Sequence, residues 1–129
     1  MGLVVSHMAF DCTDPNLLAG WWARVLGWER VWEEDADDEE VGIRAPDRSA
    51  EWLFLRVPEA KSVKNRVHPD LRPPDGSDQA TELARLLDLG ARPVDIGQGD
   101  VPWHVLADPE GNEFCLLLRT PAQVEADGD

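Results

Sequence analysis

Apolar residues recur along this chain in two rhythms, and the order of the rhythms repeats. Residues 3–10 read as a buried strand. Asp14-Pro15 then opens a helix, with Asp as N-cap and Pro at the first helical position. Leu18, Trp21, Trp22, Val25 and Leu26 give that helix an apolar face, and Gly27 is a C-terminal stop. Residues 28–32, 41–45 and 51–57 read as three strands. The second half follows the same order. Residues 66–72 form a strand, and 77–89 a helix with Ala80, Leu83, Ala84, Leu86 and Leu87 inward, stopped by Gly90. Residues 92–96, 103–107 and 113–119 are strands, and Asp108-Pro109-Glu110-Gly111 has the residues of a tight turn. The tail from Gln123 is acidic and expected to fray. The order is β-α-β-β-β, twice.

Local sequence supports a duplication. His7-Met-Ala-Phe-Asp-Cys-Thr-Asp14 and His68-Pro-Asp-Leu-Arg-Pro-Pro-Asp75 each open on histidine and run into a helix. At an offset of 61, Asp14, Ala19, Ala23, Arg24 and Leu26 fall on Asp75, Ala80, Ala84, Arg85 and Leu87. At 63, Arg56-Val-Pro58 falls on Arg119-Thr-Pro121, which pairs Trp52 with Cys115. Such a period is read before anything else. The expected fold class is α+β: two paired β-α-β-β-β modules forming a curved mixed sheet around a central cavity, helices outside. A single domain covers 1–129, with module one at about 1–58, a linker at 59–65, module two at about 66–121 and a tail at 122–129. A pseudo-twofold axis can then bring both histidines to one cavity.

Strand alternation assigns faces. Leu53, Leu55 and Val57 are expected under a helix, which turns Trp52, Phe54 and Arg56 the other way. Val67 and Leu71 are expected under the second helix, opposite Arg66, His68, Asp70 and Arg72. Phe114, Leu116 and Leu118 are covered, opposite Glu113, Cys115, Leu117 and Arg119. A face mixing aromatic, basic and imidazole groups suits a ligand cavity. The candidate ligand-binding set is His7, Trp52, Phe54, Arg56, His68, Asp70, Arg72, Trp103 and Cys115. Arginines on this face can receive a carboxylate or phosphate. Asp70 can orient His68 as a base, and Trp103 can stack on a flat ligand.

Composition narrows the partners. The net charge of −14 argues against nucleic acid and anionic membrane, since both require a basic surface. No apolar run approaches a membrane span, and the N-terminal ten residues lack signal-peptide features. Cys12 and Cys115 have no motif spacing, so a reduced, cytoplasmic setting is expected. The acidic run at 33–40 is expected to be a solvated hairpin loop.

The doubled pattern resembles the vicinal oxygen chelate superfamily, which includes glyoxalase I, bleomycin-resistance proteins and extradiol dioxygenases. The stretches around His7–Asp14, Arg66–His68 and Asp108-Pro-Glu-Gly-Asn-Glu-Phe-Cys115 carry the resemblance. Residues 57–68 look like a bacterial glyoxalase-like subgroup. The resemblance implies a homodimer and a small-molecule ligand. In metal-dependent members the ligands come from the first, fourth, fifth and eighth strands. The histidine positions fall on His7 and His68, and the carboxylate positions on Trp52 and Cys115. Both carboxylates are therefore missing, so no cofactor is expected. A divalent metal (zinc, iron, nickel or manganese) remains the alternative. Cys115 can ligate zinc beside His7 and His68, because zinc accepts mixed nitrogen and sulfur donors. Two functions follow: a protein binding a small organic, anionic ligand without a complete metal site, or a metal-dependent lyase, isomerase or dioxygenase-like enzyme using His7, His68 and Cys115.

Overall fold

The computed structural model describes residues 1–31 and 39–127, so most of the acidic run, and Trp32, lie outside it. The chain divides into two compact units, residues 1–61 and 62–129. Its class is α+β, with two four-stranded mixed sheets and three helices among the described residues.

The first unit contains β1 (Met8–Cys12), α1 (Pro15–Leu26), β2 (Glu29–Val31), β3 (Glu40–Arg44) and β4 (Glu51–Arg56). Its sheet order is β1-β4-β3-β2, with β1 parallel to β4 and the other pairs antiparallel. Helix α1 starts and stops where its sequence signals lie. Asp14 accepts a bond from the Leu17 amide at 3.1 Å, and Gly27 closes the helix at φ 69°, a left-handed conformation that glycine adopts without strain.

Strand β1 begins five residues later than expected, and Leu3, Val4 and Val5 are exposed. The reason is the partner strand. Met8 lies opposite Trp52 and β4 begins at Glu51, so β4 offers no partner to residues upstream of His7.

The faces of β4 are the reverse of the expected ones. Phe10, Trp52 and Phe54 share a face with Val41 and Ile43, because paired residues point the same way. This is the face under α1. The Trp22 and Trp52 rings are 5.4 Å apart, Phe10 is 4.9 Å from Trp52, and Phe10 stacks on Phe54 at 5.3 Å. Phe54 is fully buried. Phe54 is thus a core residue of this unit, and the half-buried Trp52 packs beside it under α1. On β4 alone both parities are apolar, so alternation has nothing to choose between. Strand β3 breaks the tie, since Val41 and Ile43 flank Gly42.

The second unit contains β5 (Asp70–Leu71), α2 (Gln79–Asp88), β6 (Arg92–Pro93), β7 (His104–Ala107) and β8 (Glu113–Leu116), followed by α3 (Pro121–Asp127). Its order, β5-β8-β7-β6, repeats the first sheet. Strands β5 and β6 are shorter than expected because Pro69, Pro73, Pro74 and Pro93 offer no amide to a ladder.

Helix α2 is rotated from the expected orientation. Leu86 is buried, while Ala80, Ala84 and Leu87 are exposed. Two polar residues set the rotation. Gln79 donates to the carbonyls of Pro102 and Leu116 at 2.9 and 3.3 Å, and Glu82 accepts from Ser77 Oγ at 2.8 Å. The inward stripe therefore runs through 79, 82, 83 and 86.

The tail does not simply fray. Thr120 and Gln123 form a reciprocal capping box: the Thr120 amide donates to Gln123 Oε1 at 2.8 Å, and the Gln123 amide to Thr120 Oγ1 at 3.3 Å. Thr120-Pro121-Ala-Gln123 carries that signature in plain sequence.

Candidate functional site

The second sheet builds a polar cluster from its parallel pair. Cys115 donates its amide to the Pro69 carbonyl at 3.0 Å, and Leu117 donates to the Leu71 carbonyl at 2.7 Å. These bonds set Asp70 opposite Cys115 on one face. His68, two residues before Asp70, brings its Nε2 to 3.2 Å from Asp70 Oδ1. One donor atom from each of His68, Asp70 and Cys115 lies within 4.8 Å of the others. His68 and Asp70 are exposed, and Cys115 is buried.

Burial pushes the Cys115 thiol up to about 11 from its ordinary 9.0, reinforced by the charge of Asp70 and a hydrogen bond to it, and partly opposed by the Lys64 ammonium. A thiol in this state is a poor nucleophile near neutrality. The folded chain prefers the protonated form, so this group's contribution to stability is intact below pH 9 and is lost as pH rises through 11. In a Cys12→Ser background, iodoacetamide alkylation of Cys115 should rise toward a midpoint near pH 11, and Asp70→Asn should move that midpoint down. A midpoint at the ordinary thiol value in the folded protein would contradict the electrostatics. The pH profile is the readout, because burial slows the reaction at every pH.

Glu113 lies on the Cys115 face and is also buried. Its carboxylate accepts from the Asn65 amide at 3.3 and 3.5 Å, so it is engaged by the segment before β5.

A groove of about 220 Å³ lies further along the same unit, lined by Arg72, Pro102, Trp103, Leu117, Leu118 and Arg119. Arg72 Nη1 donates to the Arg119 carbonyl at 3.0 Å. Arg119 Nη1 pairs with Asp127 of α3 at 2.9 Å, in an exposed ion pair. Leu118 and Arg119 also border a wider groove of about 510 Å³ with Asp78, Gln79, Ala80 and Gln123.

The nine sequence candidates therefore separate. His68, Asp70 and Cys115 form one cluster, and Arg72 and Trp103 line one groove. Trp52 and Phe54 pack under α1, while Arg56 is exposed at the end of β4. His7 precedes β1, with Nδ1 2.9 Å from Ser6 Oγ. The sequence reading places Leu117 on this face; Leu118, expected under a helix, is instead 51% exposed and lines the groove, and the Asp70–Cys115 juxtaposition was not singled out from sequence. The signal available for the last was the parallel register of β5 and β8, which no local pattern specifies.

Residues 7–117 match a family described as the glyoxalase-like domain. The chain belongs to the glyoxalase-like domain family. It shares the fold of the vicinal oxygen chelate superfamily with solved structures. The fosfomycin resistance protein FosX from Mesorhizobium loti is 18% identical with a TM-score of 0.68, over 98% of this chain and 99% of that one. FosX from Listeria monocytogenes, in a variant complexed with Mn(II) and 1S,2S-dihydroxypropylphosphonic acid, is 14% identical with a TM-score of 0.70 over the full length of both. The oxidase ChaP-H2 is 15% identical with a TM-score of 0.61, over 92% and 95%. No curated protein matches the chain in sequence.

Register revises the expected pairing of the repeats. Cys115 sits opposite the residue two past His68, and the residue opposite Ala9, two past His7, is Leu53. Leu53, rather than Trp52, is the counterpart of Cys115. A leucine cannot coordinate either, so this chain lacks a carboxylate at both counterpart positions. Among the described residues no helix is long and apolar enough to cross a membrane.

Proposed function

We propose that this glyoxalase-like protein binds a small organic anion with an apolar or flat body on its second module. The observation that carries this reading is the groove where Arg72 and Arg119 stand beside Trp103 and Leu117. Guanidiniums form charge-assisted, bidentate bonds to carboxylate, phosphonate or phosphate. Trp103, 38% exposed, offers a ring face, and Leu117 and Leu118 supply apolar wall. Arg119 pairs with Asp127 in an exposed ion pair, and exposed pairs of that kind are weak, at about 0–1 kcal/mol. An incoming anion can displace Asp127 at small cost. The fold supports the class of ligand, since the Listeria monocytogenes relative is complexed with a small phosphonic acid.

Phenylphosphonate, benzoate and inorganic phosphate make a suitable probe set. Trp103 is the sole tryptophan after residue 61, so the variant Trp103→Phe identifies the fluorescence change that belongs to this groove. We expect phenylphosphonate to bind more tightly than phosphate, and Arg119→Ala to weaken it about 10-fold or more, as loss of a charged hydrogen bond does. No binding by any of the three, or binding as tight as the unsubstituted protein's in both Arg72→Ala and Arg119→Ala, would remove the reading.

The second reading is an enzyme of lyase, isomerase or dioxygenase-like chemistry. The observation favouring it is the His68, Asp70 and Cys115 cluster. When bound, a divalent ion there would act as a Lewis acid toward a ligand oxygen.

A further inference from the structure

We propose that His68, Asp70 and Cys115 form a zinc-type cation site contained within the second module, in which Asp70 supplies the carboxylate missing from the fourth and eighth strands. The site differs from the one implied by family resemblance, because Asp70 joins His68 and Cys115 as a ligand and none comes from the first unit.

Four observations support it. First, the donors are close. All three lie within 4.8 Å of one another. Zinc bonds of about 2.0–2.3 Å place tetrahedral ligand atoms roughly 3.3–3.8 Å apart, so a contraction on the order of 1 Å completes the set. Second, the two strands are locked in register by the Cys115 amide to Pro69 and the Leu117 amide to Leu71, so the contraction falls on side chains rather than backbone. Exposed His68 and Asp70 have room to move. Third, the donor set is imidazole nitrogen, carboxylate oxygen and sulfur. Thiolate selects zinc over manganese, magnesium or calcium, which prefer oxygen. Fourth, charge balances. A thiolate and a carboxylate against a divalent ion leave a neutral unit, in a chain whose net charge of −14 already draws cations. Glu113, another carboxylate on this face, is held by Asn65 and is not required.

Binding at Cys115 exchanges the thiol proton for the metal, and the proton leaves to solvent. No oxidant or reductant takes part.

The test uses the full-length chain, without a histidine tag, stripped by chelator and titrated with Co(II), then competed with Zn(II). We expect one Co(II) per chain, with a thiolate-to-cobalt charge-transfer absorption in the near ultraviolet that Zn(II) abolishes. Cys115→Ser should lose that absorption and Cys12→Ser should keep it. Asp70→Asn, at an exposed position where the fold survives, should weaken binding at least tenfold. Should Cys115→Ser fail to fold, Asp70→Asn still decides. Absence of the charge-transfer band, its loss in Cys12→Ser, or unchanged affinity in Asp70→Asn would each overturn the site. Arg119→Ala should bind Co(II) normally, so failure of the anion groove and failure of the metal site are read separately.

Discussion

Replacing Phe54 by alanine should destabilise the first module by about 3–5 kcal/mol, the range for truncating a fully buried phenylalanine. Phe54 has no exposed surface, stacks on Phe10 at 5.3 Å, and sits opposite Val41, itself fully buried. The cost has two parts. Transfer of the ring accounts for one, and the cavity left between β1 and β3 accounts for the other, because neighbouring side chains relax only partly. Leu55→Ala, on the other face and half-buried, should cost less. Urea denaturation followed by tryptophan fluorescence reads this module selectively, since five of the six tryptophans, at 21, 22, 28, 32 and 52, precede residue 61. A midpoint shift equivalent to less than about 1 kcal/mol would mean that Phe54 lines an open face instead, where truncation leaves no cavity.

That contrast marks where sequence reasoning stops. The duplicated β-α-β-β-β order and the start and stop of α1 were legible because Asp14, Pro15 and Gly27 act locally, each through its own backbone. The Asp108 turn was legible for the same reason. The faces of β4 were not. Trp52, Leu53, Phe54 and Leu55 are apolar at both parities, and only the partner strand chooses between them. The start of β1 and the orientation of α2 failed similarly. One depends on where β4 begins, the other on two hydrogen bonds from Gln79 to carbonyls more than twenty residues away. The candidate site shows the same division. His68 and Cys115 were visible as repeat and motif positions. Asp70 was legible beside His68 on one strand, but its place opposite Cys115 needed the parallel register, because alternation along one strand says nothing about its neighbour. By contrast, the α3 capping box was present in sequence as Thr120-Pro-Ala-Gln123, hidden by the acidic composition of the tail.

Asp108→Ala should cost about 3 kcal/mol in the second module and should also open the site. Asp108 is 1% exposed at the turn between β7 and β8. Its Oδ1 accepts from the Glu110 and Asn112 amides at 2.9 and 3.0 Å, and the Asn112 side chain donates to Oδ2 at 3.0 Å. Its own amide donates to the Asn112 carbonyl at 2.9 Å, and Gly111 turns at φ 87° to donate back to the Asp108 carbonyl. Alanine leaves two backbone donors without this acceptor, and charged hydrogen bonds are worth about 1.5–3 kcal/mol each. Asn retains one side-chain oxygen for those amides, so Asp108→Asn should cost about 1 kcal/mol. Urea unfolding of the two variants, with Trp103 fluorescence as reporter in a background lacking the other tryptophans' signal change, separates them. Equal losses would show that the charge matters and the acceptor position does not. The functional consequence follows from register. The turn sets Ala107 opposite Glu113 and Val105 opposite Cys115, and Cys115 in turn faces Asp70. Loosening the turn lets β8 slip or fray, which exposes the thiol and separates it from the Asp70 carboxylate. Asp108→Ala should therefore speed alkylation of Cys115 at neutral pH and weaken Co(II) together, whereas Asp70→Asn should weaken Co(II) with β8 still protected from amide exchange. A buried carboxylate in the β7–β8 turn thus governs the site by holding one hairpin in register.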